Sequence, residues 1–320
     1  MDSTFIDLFS GGGGLSYGLK LAGLEPIAAY DNNADAIKVY NENIGRHGFV
    51  QDVKNLHLKK GSADIVVGGL PCQGFSTLGK RNIYDERNYL WKDFLRIIKE
   101  VSPTALMTEN VPQFFQSFHF RRFKEAISNL GYKINFEVLN AVNYGVPQNR
   151  TRAIFICSKN HKPTLPKPED KILTVRDAIG DLPLIPNGIN DHLARNPTKL
   201  SLERYKHIPV GGNRLDLPKE LQPKCWLSLG KRGASNIFGR LWWDKPSPTI
   251  RTTFIQPECG RYLHPEANRP ITIREGARLQ SFPDSFTFNV SSSRSKTRII
   301  GNSVPVQLAK HLGEALLSSI

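Results

Sequence analysis

The stretch TFIDLFSGGGG, residues 4–14, joins an apolar run to four consecutive glycines, and the fold class is inferred outward from it. The apolar part is typical of a buried strand, and a helical pattern begins near Leu15. Glycines between a strand and a helix let the backbone approach a ligand closely and aim helix N-terminal N–H groups at it. The segment therefore predicts the first strand, turn and helix of an α/β ligand-binding sheet.

Four further apolar runs, rich in β-branched residues, are separated by longer amphipathic stretches. They are residues 27–30, 64–68, 104–108 and 153–157. Strands that alternate with helical patterns predict a mostly parallel sheet with helices on both faces. Ligands of such sheets bind beyond the carboxyl ends of the strands. Glycine, cysteine and carboxylate residues follow these runs directly, so we expect the functional site at that edge.

The length of 320 residues predicts one large domain and one smaller domain, with room for a cleft. From about residue 161 the sequence becomes rich in proline and polar residues, and helical patterns return near Ile273. We predict a catalytic and cofactor-binding domain at 1–172 and a smaller, irregular domain at 173–270. Residues 271–320 should form a hinge and a C-terminal segment that returns to the first domain, with a strand at 297–300 and a helix at 304–320.

The composition is that of a globular protein with a basic surface. No apolar run is long enough to cross a bilayer, and the apolar start lacks the basic stretch and cleavage site of a signal peptide. We therefore expect a protein of the cytoplasm, or of the bacterial nucleoid. The formal charge of +14 favours a polyanionic partner such as nucleic acid, because phosphates neutralised by Lys or Arg release counterions. A solvated basic surface is the plainer interpretation.

The four cysteines, at positions 72, 157, 225 and 259, form no C-x-x-C pair and no Cys/His cluster with zinc spacing. We expect free thiols and no metal site. Cys72 differs from the others because Pro71 restricts Leu70 to extended geometry and places the cysteine in a glycine-flanked loop after a strand. A cysteine usually packs as a small hydrophobe. In this loop we expect a nucleophile.

Acidic residues follow other strand runs. Asp31 comes after the second run, where a carboxylate can hold ribose hydroxyls, and Asp52 follows one unit later. The dinucleotide fingerprint needs glycine at position 16, but Ser16 stands there, so S-adenosylmethionine fits better than NAD. Glu109 closes the fourth run and is interpreted as a proton donor. An N-cap or surface carboxylate is equally typical of that position.

Two arginines, Arg150 and Arg152, precede the fifth run. Residues spaced by two in a strand project from the same side, so both side chains should point together. We expect them to bind substrate phosphates or to orient a base. A solvated basic pair at a strand entrance is the alternative.

Six motifs resemble those of the DNA cytosine-5 methyltransferases in order and spacing over nearly the whole chain. They are FSGGGG at 9–14, PCQ at 71–73, ENV at 109–111, QNRTR at 148–152, REGARLQSFP at 274–283 and GNSV at 301–304. The resemblance implies a Rossmann-like, S-adenosylmethionine-dependent fold in which residues 173–270 form the target-recognition domain. It also implies methyl transfer to C5 of a flipped-out cytosine in duplex DNA.

The resemblance implies roles for individual residues. Cys72 would be the nucleophile and Glu109 the acid, with Arg150 and Arg152 flanking the base. The residues expected to bind S-adenosylmethionine are Phe9, Gly11, Gly13, Gly14, Asp31, Asn32, Asp52, Val53, Pro71, Leu90, Asn302 and Val304. Two positions depart from the family. Most members have proline or phenylalanine in place of Leu70, and some have an aromatic residue in place of Asn32.

Duplex DNA should be contacted by the loop around Cys72 and by the smaller domain. Gln73 is placed to enter the space left by the flipped base, with Ser76 nearby. The other candidates for DNA contact are Lys206, His207, Arg214, Lys231, Arg232, Asn236, Arg240 and Arg251. Trp242 and Trp243, which precede several prolines, are interpreted as residues that fix a loop.

Three alternatives stay open on the sequence. A tRNA cytosine-5 methyltransferase has the same framework, but the Cys-Phe-Thr signature of that branch is missing here. A catalytically idle DNA-binding relative conflicts with the presence of Cys72, Glu109 and Arg152, and an NAD-dependent oxidoreductase conflicts with the Pro-Cys-Gln loop. We expect the compact prokaryotic or phage form, monomeric and often paired with a restriction endonuclease that acts on the same site.

Overall fold

The computed structural model describes residues 3–71, 86–227 and 236–320, which divide into two compact units. The first unit spans Met1–Tyr144, Thr151–Asp170 and Ser303–Ile320, and the second spans Gly145–Arg150 and Lys171–Asn302. The division at residue 171 lies beside the expected boundary at 172, whereas residues 271–302 group with the second unit. No helix within the described ranges has both the length and the apolar character needed to cross a membrane.

The strands and helices alternate through the first half of the chain, are short and sparse between Ser158 and Ile273, and end in two longer helices. The strands are β1 (Thr4–Leu8), β2 (Glu25–Asp31), β3 (Gly48–Val50), β4 (Ile65–Gly69), β5 (Ala105–Asn110), β6 (Lys133–Asn140), β7 (Gln148–Asn149), β8 (Thr151–Ser158), β9 (Gly239–Arg240), β10 (Ser247–Pro248) and β11 (Arg261–Leu263). The helices are α1 (Gly14–Leu21), α2 (Ala34–Asn43), α3 (Leu90–Val101), α4 (Phe118–Asn129), α5 (Val175–Ile179), α6 (Lys199–Lys206), α7 (Lys224–Leu227), α8 (Ile273–Leu279), α9 (Ser293–Asn302) and α10 (Val306–Leu317).

The first unit is built on a seven-stranded sheet with the strand order β3-β2-β1-β4-β5-β8-β6. Strands β1 to β5 run parallel to one another, whereas β8 runs antiparallel to its neighbours β5 and β6. The mixed, mostly parallel α/β sheet predicted from the sequence is therefore confirmed. Because β1 lies between parallel strands β2 and β4, the turn that follows β1 opens at the interior of the carboxyl edge.

All five predicted strand runs are strands in the structure, as β1, β2, β4, β5 and β8, but two further strands were missed. The three-residue β3 exposes Phe49 and Val50, and β6 is mostly exposed, so neither shows the buried apolar pattern of a central strand. The strand predicted at 297–300 was wrong, because these residues belong to α9. The helix predicted at 304–320 is confirmed as α10.

Helix α10 packs closely against α1 in the first unit. A Cβ atom at Gly18 would lie 2.4 Å from Ala309 Cβ and 2.5 Å from Val306 O, and one at Gly313 would lie 2.7 Å from Ala22 Cβ. Side chains larger than hydrogen would therefore force the two helices apart. The small residues explain why the C-terminal helix can close over the helix that follows the glycine turn.

The strands described in the second unit have only two or three residues each, so its core depends on other contacts. Tyr205, Trp226, Phe238 and Leu263 belong to one buried apolar cluster. Arg269 forms a bidentate ion pair with Glu275, at 2.8 Å for both contacts, in a site where both side chains are nearly inaccessible to solvent. Bidentate pairing fixes geometry as well as charge.

A carboxyl group is completely buried in β1, an interior strand of the first unit's sheet. Asp7 is 0% exposed, and its Oδ2 accepts a 2.6 Å hydrogen bond from Ser16 Oγ of α1. Within the described residues its Oδ1 has no hydrogen-bond partner. Burial raises the pKa of the Asp7 carboxyl to about 7, with the Ser16 bond opposing this shift and the nearby Asp31 carboxylate adding to it.

We predict that Asp7→Asn is more stable than the wild type at pH 8 and that the difference narrows toward pH 5. The folded-state pKa lies above the unfolded value, so wild-type stability is lost as pH rises through the interval between them. Asparagine does not titrate, so the variant does not lose stability in this way. Between the two pKa values, the wild-type free energy of unfolding falls by about 1.4 kcal/mol per pH unit. Thermal melting of both proteins from pH 5 to pH 8 measures the difference, and a gap independent of pH would contradict the assignment.

The matched control is Asp64→Asn, the same chemical change with the opposite expected sign. Asp64 Oδ2 accepts hydrogen bonds from Thr4 N at 2.8 Å and Thr4 Oγ1 at 2.7 Å, and these bonds lower the pKa of Asp64. Its stabilising contribution is present above the ordinary carboxyl pKa and is lost only as pH falls further. Asp64→Asn should therefore melt below the wild type by a constant amount from pH 5 to pH 8.

Candidate active site

The glycine-rich turn lies at the carboxyl edge of the sheet, directly after β1. Its backbone is left-handed at Phe9 (φ 61°), Gly11 (φ 54°) and Gly13 (φ 89°). A Cβ atom at Gly13 would lie 2.2 Å from Ile44 Cδ1, whereas one at Gly11 would meet no atom of the described residues within 4 Å. Glycine is required at position 13 by packing, and at position 11 the backbone borders space that the described part of the chain leaves open.

Strand β2 holds this turn in place through its last residues. Gly11 N donates to Asp31 Oδ2 at 2.9 Å, and Ser10 N donates to Tyr30 O at 3.1 Å. The other carboxylate oxygen of Asp31 accepts from Asn33 N at 2.8 Å. The structure therefore brings the glycine turn and Asp31 together, as we expected for a cofactor site.

The remaining residues predicted to bind the cofactor differ in exposure. Asn32 and Asp52 are exposed, Pro71 and Leu90 are half-buried, and Gly14, Val53 and Val304 are buried. Val53 and Val304 are 2% and 5% exposed, so their side chains offer little surface to a ligand. Asn302 is exposed at the end of α9 and belongs to the second unit.

Glu109 and Arg152 form an ion pair near the carboxyl end of β5. Arg152 Nε lies 2.7 Å from Glu109 Oε1, and the two side chains are 15% and 10% exposed. A Cβ atom at Gly69 of β4 would lie 3.7 Å from Glu109 Oε2. The carboxyl group thus lies beside a glycine of the neighbouring strand, and Glu109 is almost entirely buried.

Arg150 and Arg152 do not share a strand, which corrects the expectation that they project together. Residues 148–149 pair with β10 in the second unit, and β8 of the first unit begins only at Thr151. Arg150 is 2% exposed and donates to Ile250 O at 3.2 Å and Gly301 O at 3.1 Å. Its guanidinium donates to backbone carbonyls of the second unit, and its expected place beside the target base stays a prediction.

Two of the arginines expected to contact DNA are also buried. Arg240 donates to five acceptors, which are Ile208 O, His264 O, Ala267 O, Tyr205 O and Asn268 Oδ1. Arg214 is 1% exposed. A guanidinium enclosed by protein cannot present its N–H groups to a phosphate, so the expectation for Arg214 and Arg240 is corrected. Lys206, His207, Asn236 and Arg251 are exposed, as DNA contacts require.

Several predicted site residues lie outside the described residues. They are Cys72, Gln73, Ser76, Lys231 and Arg232. Two other cysteines are described as free thiols, as expected. Cys157 is buried in β8, where burial raises the pKa of its thiol well above the usual value, and Cys259 is half-buried in the second unit.

The sequence reasoning missed residues whose role depends on burial. Asp7 was one, although a lone carboxylate inside an apolar strand run is a visible signal. Arg261 was another. It donates to Gly211 O and Gly212 O at 2.8 Å, and its guanidinium stacks 4.3 Å from the Trp242 ring centroid. The stacking supports the interpretation of Trp242 as a residue that fixes a loop.

Comparison with known proteins gives a consistent result over the whole chain. The family model of C-5 cytosine-specific DNA methylases matches residues 3–318. The Type II methyltransferase M1.HphI of Haemophilus parahaemolyticus is 36% identical, with 99% of this chain and 87% of that protein aligned. The Type II methylase M.HgiDII of Herpetosiphon aurantiacus is 33% identical, with 99% and 95% aligned.

Solved structures show the same fold. A protein encoded within an E. coli prophage and assigned as a DNA modification methyltransferase superimposes with a TM-score of 0.77 at 26% identity, covering 99% of both chains. The Dnmt2 methyltransferase of S. pombe superimposes with a TM-score of 0.65 at 20% identity, covering 99% of this chain and 98% of that one. The family match, the full-length relatives and the shared fold together show that this chain belongs to the C-5 cytosine-specific DNA methylases.

Proposed function

We propose that this enzyme methylates C5 of a cytosine within a specific sequence of duplex DNA, using S-adenosylmethionine and a covalent bond from Cys72 to cytosine C6. The observation that carries the proposal is the Glu109–Arg152 pair, which lies at the same sheet edge as the glycine turn and Asp31, within one unit. The relatives are named Type II methyltransferases. We therefore propose that the chain is the methylase of a restriction-modification system.

The residues at the glycine turn fit S-adenosylmethionine. The open space beside Gly11 is a cradle that any Cβ atom would begin to fill, and the Asp31 carboxylate stands directly beside it. Phe9, Gly11 and Asp31 would hold the adenosine and amino-acid parts of the cofactor, with the exposed Asp52 nearby in sequence. When bound, S-adenosylmethionine supplies an electrophilic methyl group for cytosine C5.

Cytosine C5 is a weak nucleophile, and the residues of this chain would activate it. The Cys72 thiolate adds to C6, forming a C–S bond and shifting electron density to C5. Glu109 binds the N3 edge and the exocyclic amine. Because the carboxylate paired with Arg152 carries no proton of its own, it relays one from solvent to N3 as the thiolate adds, and this proton returns by the same route when the thiolate leaves. Arg152 holds the Glu109 carboxyl in position. After methylation a base removes the C5 proton, the C–S bond breaks, and the Cys72 thiolate is released.

The target base must leave the duplex, because both faces of its ring are needed for this reaction. Flipping costs on the order of a few kcal/mol, because one base loses its stacking and its base pair. We propose that Gln73 enters the vacated space and that exposed residues of the second unit, Arg251 and Lys206 among them, contact the duplex. We also propose that the enzyme acts as a monomer, with a cognate endonuclease cutting the same site.

The tRNA cytosine-5 methyltransferase is the second candidate on this framework. The two full-length relatives reported above, at 36% and 33% identity, are named a Type II methyltransferase and a Type II methylase, which favours duplex DNA. The Dnmt2 likeness, at 20% identity, concerns the fold alone.

We predict that expression in a host without cytosine methylation places 5-methylcytosine at every copy of one short sequence. Recognition by a fixed set of base contacts makes the modification site-specific. Bisulfite sequencing of the host genome measures it and also identifies the recognition sequence. Modified tRNA with an unmodified genome would instead support the tRNA candidate.

We predict that a duplex with 5-fluorocytosine at the target position traps the enzyme. Thiolate addition and methylation do not need the C5 hydrogen, but fluorine cannot leave as a cation, so elimination is blocked. The adduct should survive denaturing electrophoresis, should require S-adenosylmethionine, and should map to Cys72 by peptide mass spectrometry.

The controls for trapping are alanine substitutions at two cysteines. Cys72→Ala should abolish the adduct while retaining cofactor binding. Cys259→Ala, which removes a half-buried thiol of the second unit, should leave trapping unchanged. Methylation of the ordinary duplex without trapping of the fluorinated one would exclude the covalent route.

We predict that Glu109→Gln slows methylation by roughly two to four orders of magnitude, the usual contribution of a positioned acid, while binding of the duplex persists. The single-turnover methylation rate measures the loss. The matched control is Glu137→Gln. Ile154 of β8 has Glu109 of β5 as its register partner on one side and Glu137 of β6 on the other. The Glu137 side chain, however, is exposed. Equal rates in the two variants would remove Glu109 from the mechanism.

A further inference from the structure

A group of aromatic and basic side chains lies on the surface of the first unit, outside the site described above. It consists of Tyr89, Lys92, Phe118, His119 and Arg122, and we call it the α3–α4 patch. Tyr89 is 42% exposed and Phe118 is 57% exposed, and both basic side chains are exposed. Exposed large aromatic rings cost solvation, so their grouping with cations indicates an interaction surface.

The members of the patch contact one another in a continuous series. Lys92 Nζ lies 5.0 Å from the Tyr89 ring centroid, and the Arg122 guanidinium carbon lies 4.9 Å from that of Phe118. The His119 ring joins the two pairs, at 5.0 Å from Tyr89 and 6.2 Å from Phe118. Cation–π contacts of this kind hold the charged groups above the rings. The two cations are therefore positioned before any partner binds.

His119 is also fixed by a hydrogen bond from a buried tryptophan. Trp91 Nε1 donates to His119 Nδ1 at 3.1 Å, so the neutral imidazole carries its proton on Nε2. Burial and the nearby Lys92 charge lower the pKa of His119, so the ring is neutral above its ordinary pKa. The lasting positive charge of the patch comes from Lys92 and Arg122.

Among the described residues, no carboxylate forms an ion pair with either cation of the patch, Lys92 or Arg122. Asp93 pairs instead with Arg96 at 3.7 Å. Helix α4 carries Arg121, Arg122 and Lys124 against the single carboxylate Glu125, and all four are exposed. Unpaired cations at fixed positions suit a partner with regularly spaced anionic groups.

The topology of the sheet places the patch at the active edge. Helix α3 leads from parallel strand β4 to β5, and α4 follows β5, so both helices begin at the carboxyl edge. Tyr89 and Lys92 lie at the start of α3, and Phe118 begins α4. Glu109 lies at the same edge, at the end of β5. The patch and the proposed base-binding carboxyl therefore share one side of the first unit.

We propose that the α3–α4 patch binds phosphate groups of the duplex that flanks the target cytosine, with Lys92 and Arg122 as the phosphate ligands. The proposal rests on the proposed function, since it needs a duplex DNA substrate. The patch need not contact base edges, because phosphate contacts position a protein without reading the sequence. It adds a binding surface on the first unit to the contacts expected from the second.

The test compares two double variants that remove equal charge from opposite edges of the same unit. Lys92→Ala/Arg122→Ala removes the patch cations. Lys60→Ala/Lys99→Ala is the matched control, because exposed Lys60 precedes β4 and exposed Lys99 lies in the last turn of α3. Both variants change only exposed side chains, and unchanged S-adenosylmethionine binding and melting temperature confirm that each is folded.

The measurement is the affinity for a short fluorescent duplex of mixed sequence at salt concentrations from about 50 to 200 mM. Loss of two phosphate contacts should reduce the slope of log K against log salt by about 1.8 and weaken binding about tenfold in the patch variant. The control should keep the wild-type slope. For a methylatable duplex, the apparent KM should rise in the patch variant while kcat stays the same.

Two failures are distinguishable. If the wild type neither binds nor methylates duplex DNA, the proposed function fails. If the wild type does both and the patch variant matches the Lys60→Ala/Lys99→Ala control in slope and affinity, the function stands and the α3–α4 patch is excluded as a phosphate site.

Discussion

The hydrogen bond from Gly11 N to the Asp31 carboxylate is the contact on which the candidate cofactor site depends. It joins a left-handed turn after β1 to the last residue of β2, so the Asp31 carboxylate has a fixed position beside Gly11. The Asp7–Ser16 bond supports the same turn from within the sheet, because it joins β1 to the helix that begins at Gly14. The packing of Gly13 against Ile44 and the contact of Gly18 with α10 then leave the turn little freedom to move.

The proposed chemistry occupies the neighbouring strands of the same edge. Glu109 lies at the end of β5, and β4 is the single strand between β5 and β1. Arg152 contacts Glu109 from antiparallel β8. This arrangement explains why the antiparallel strand matters. Because β8 runs the other way, its first residues lie at the carboxyl edge, and a basic side chain there can meet a carboxylate that closes a parallel strand.

The second unit shows how an irregular fold can be stabilised without a large sheet. Arg150, Arg240 and Arg261 direct their guanidinium groups at backbone carbonyls, and Arg269 is paired with Glu275. Each arginine supplies several donors in a fixed plane, so one side chain can satisfy carbonyls from separate loops. The cost is desolvation of the charge, which lowers the pKa of Arg240 and Arg261. Part of the positive charge of the chain is thus internal and not available to DNA.

The amino-acid sequence alone determined the mostly parallel sheet and the family, because the apolar runs of buried strands and the motifs between them are local patterns. It also placed the glycine turn and Asp31 at one edge, since the carboxyl ends of parallel strands meet there. Only the tertiary structure decided which arginines are free. Arg150, Arg214 and Arg240 look like Arg251 in sequence, but long-range packing buries the first three. Edge strands β3 and β6 were also missed, because their side chains are largely exposed and lack the apolar pattern of a buried strand. Long-range pairing with neighbouring strands holds them in the sheet.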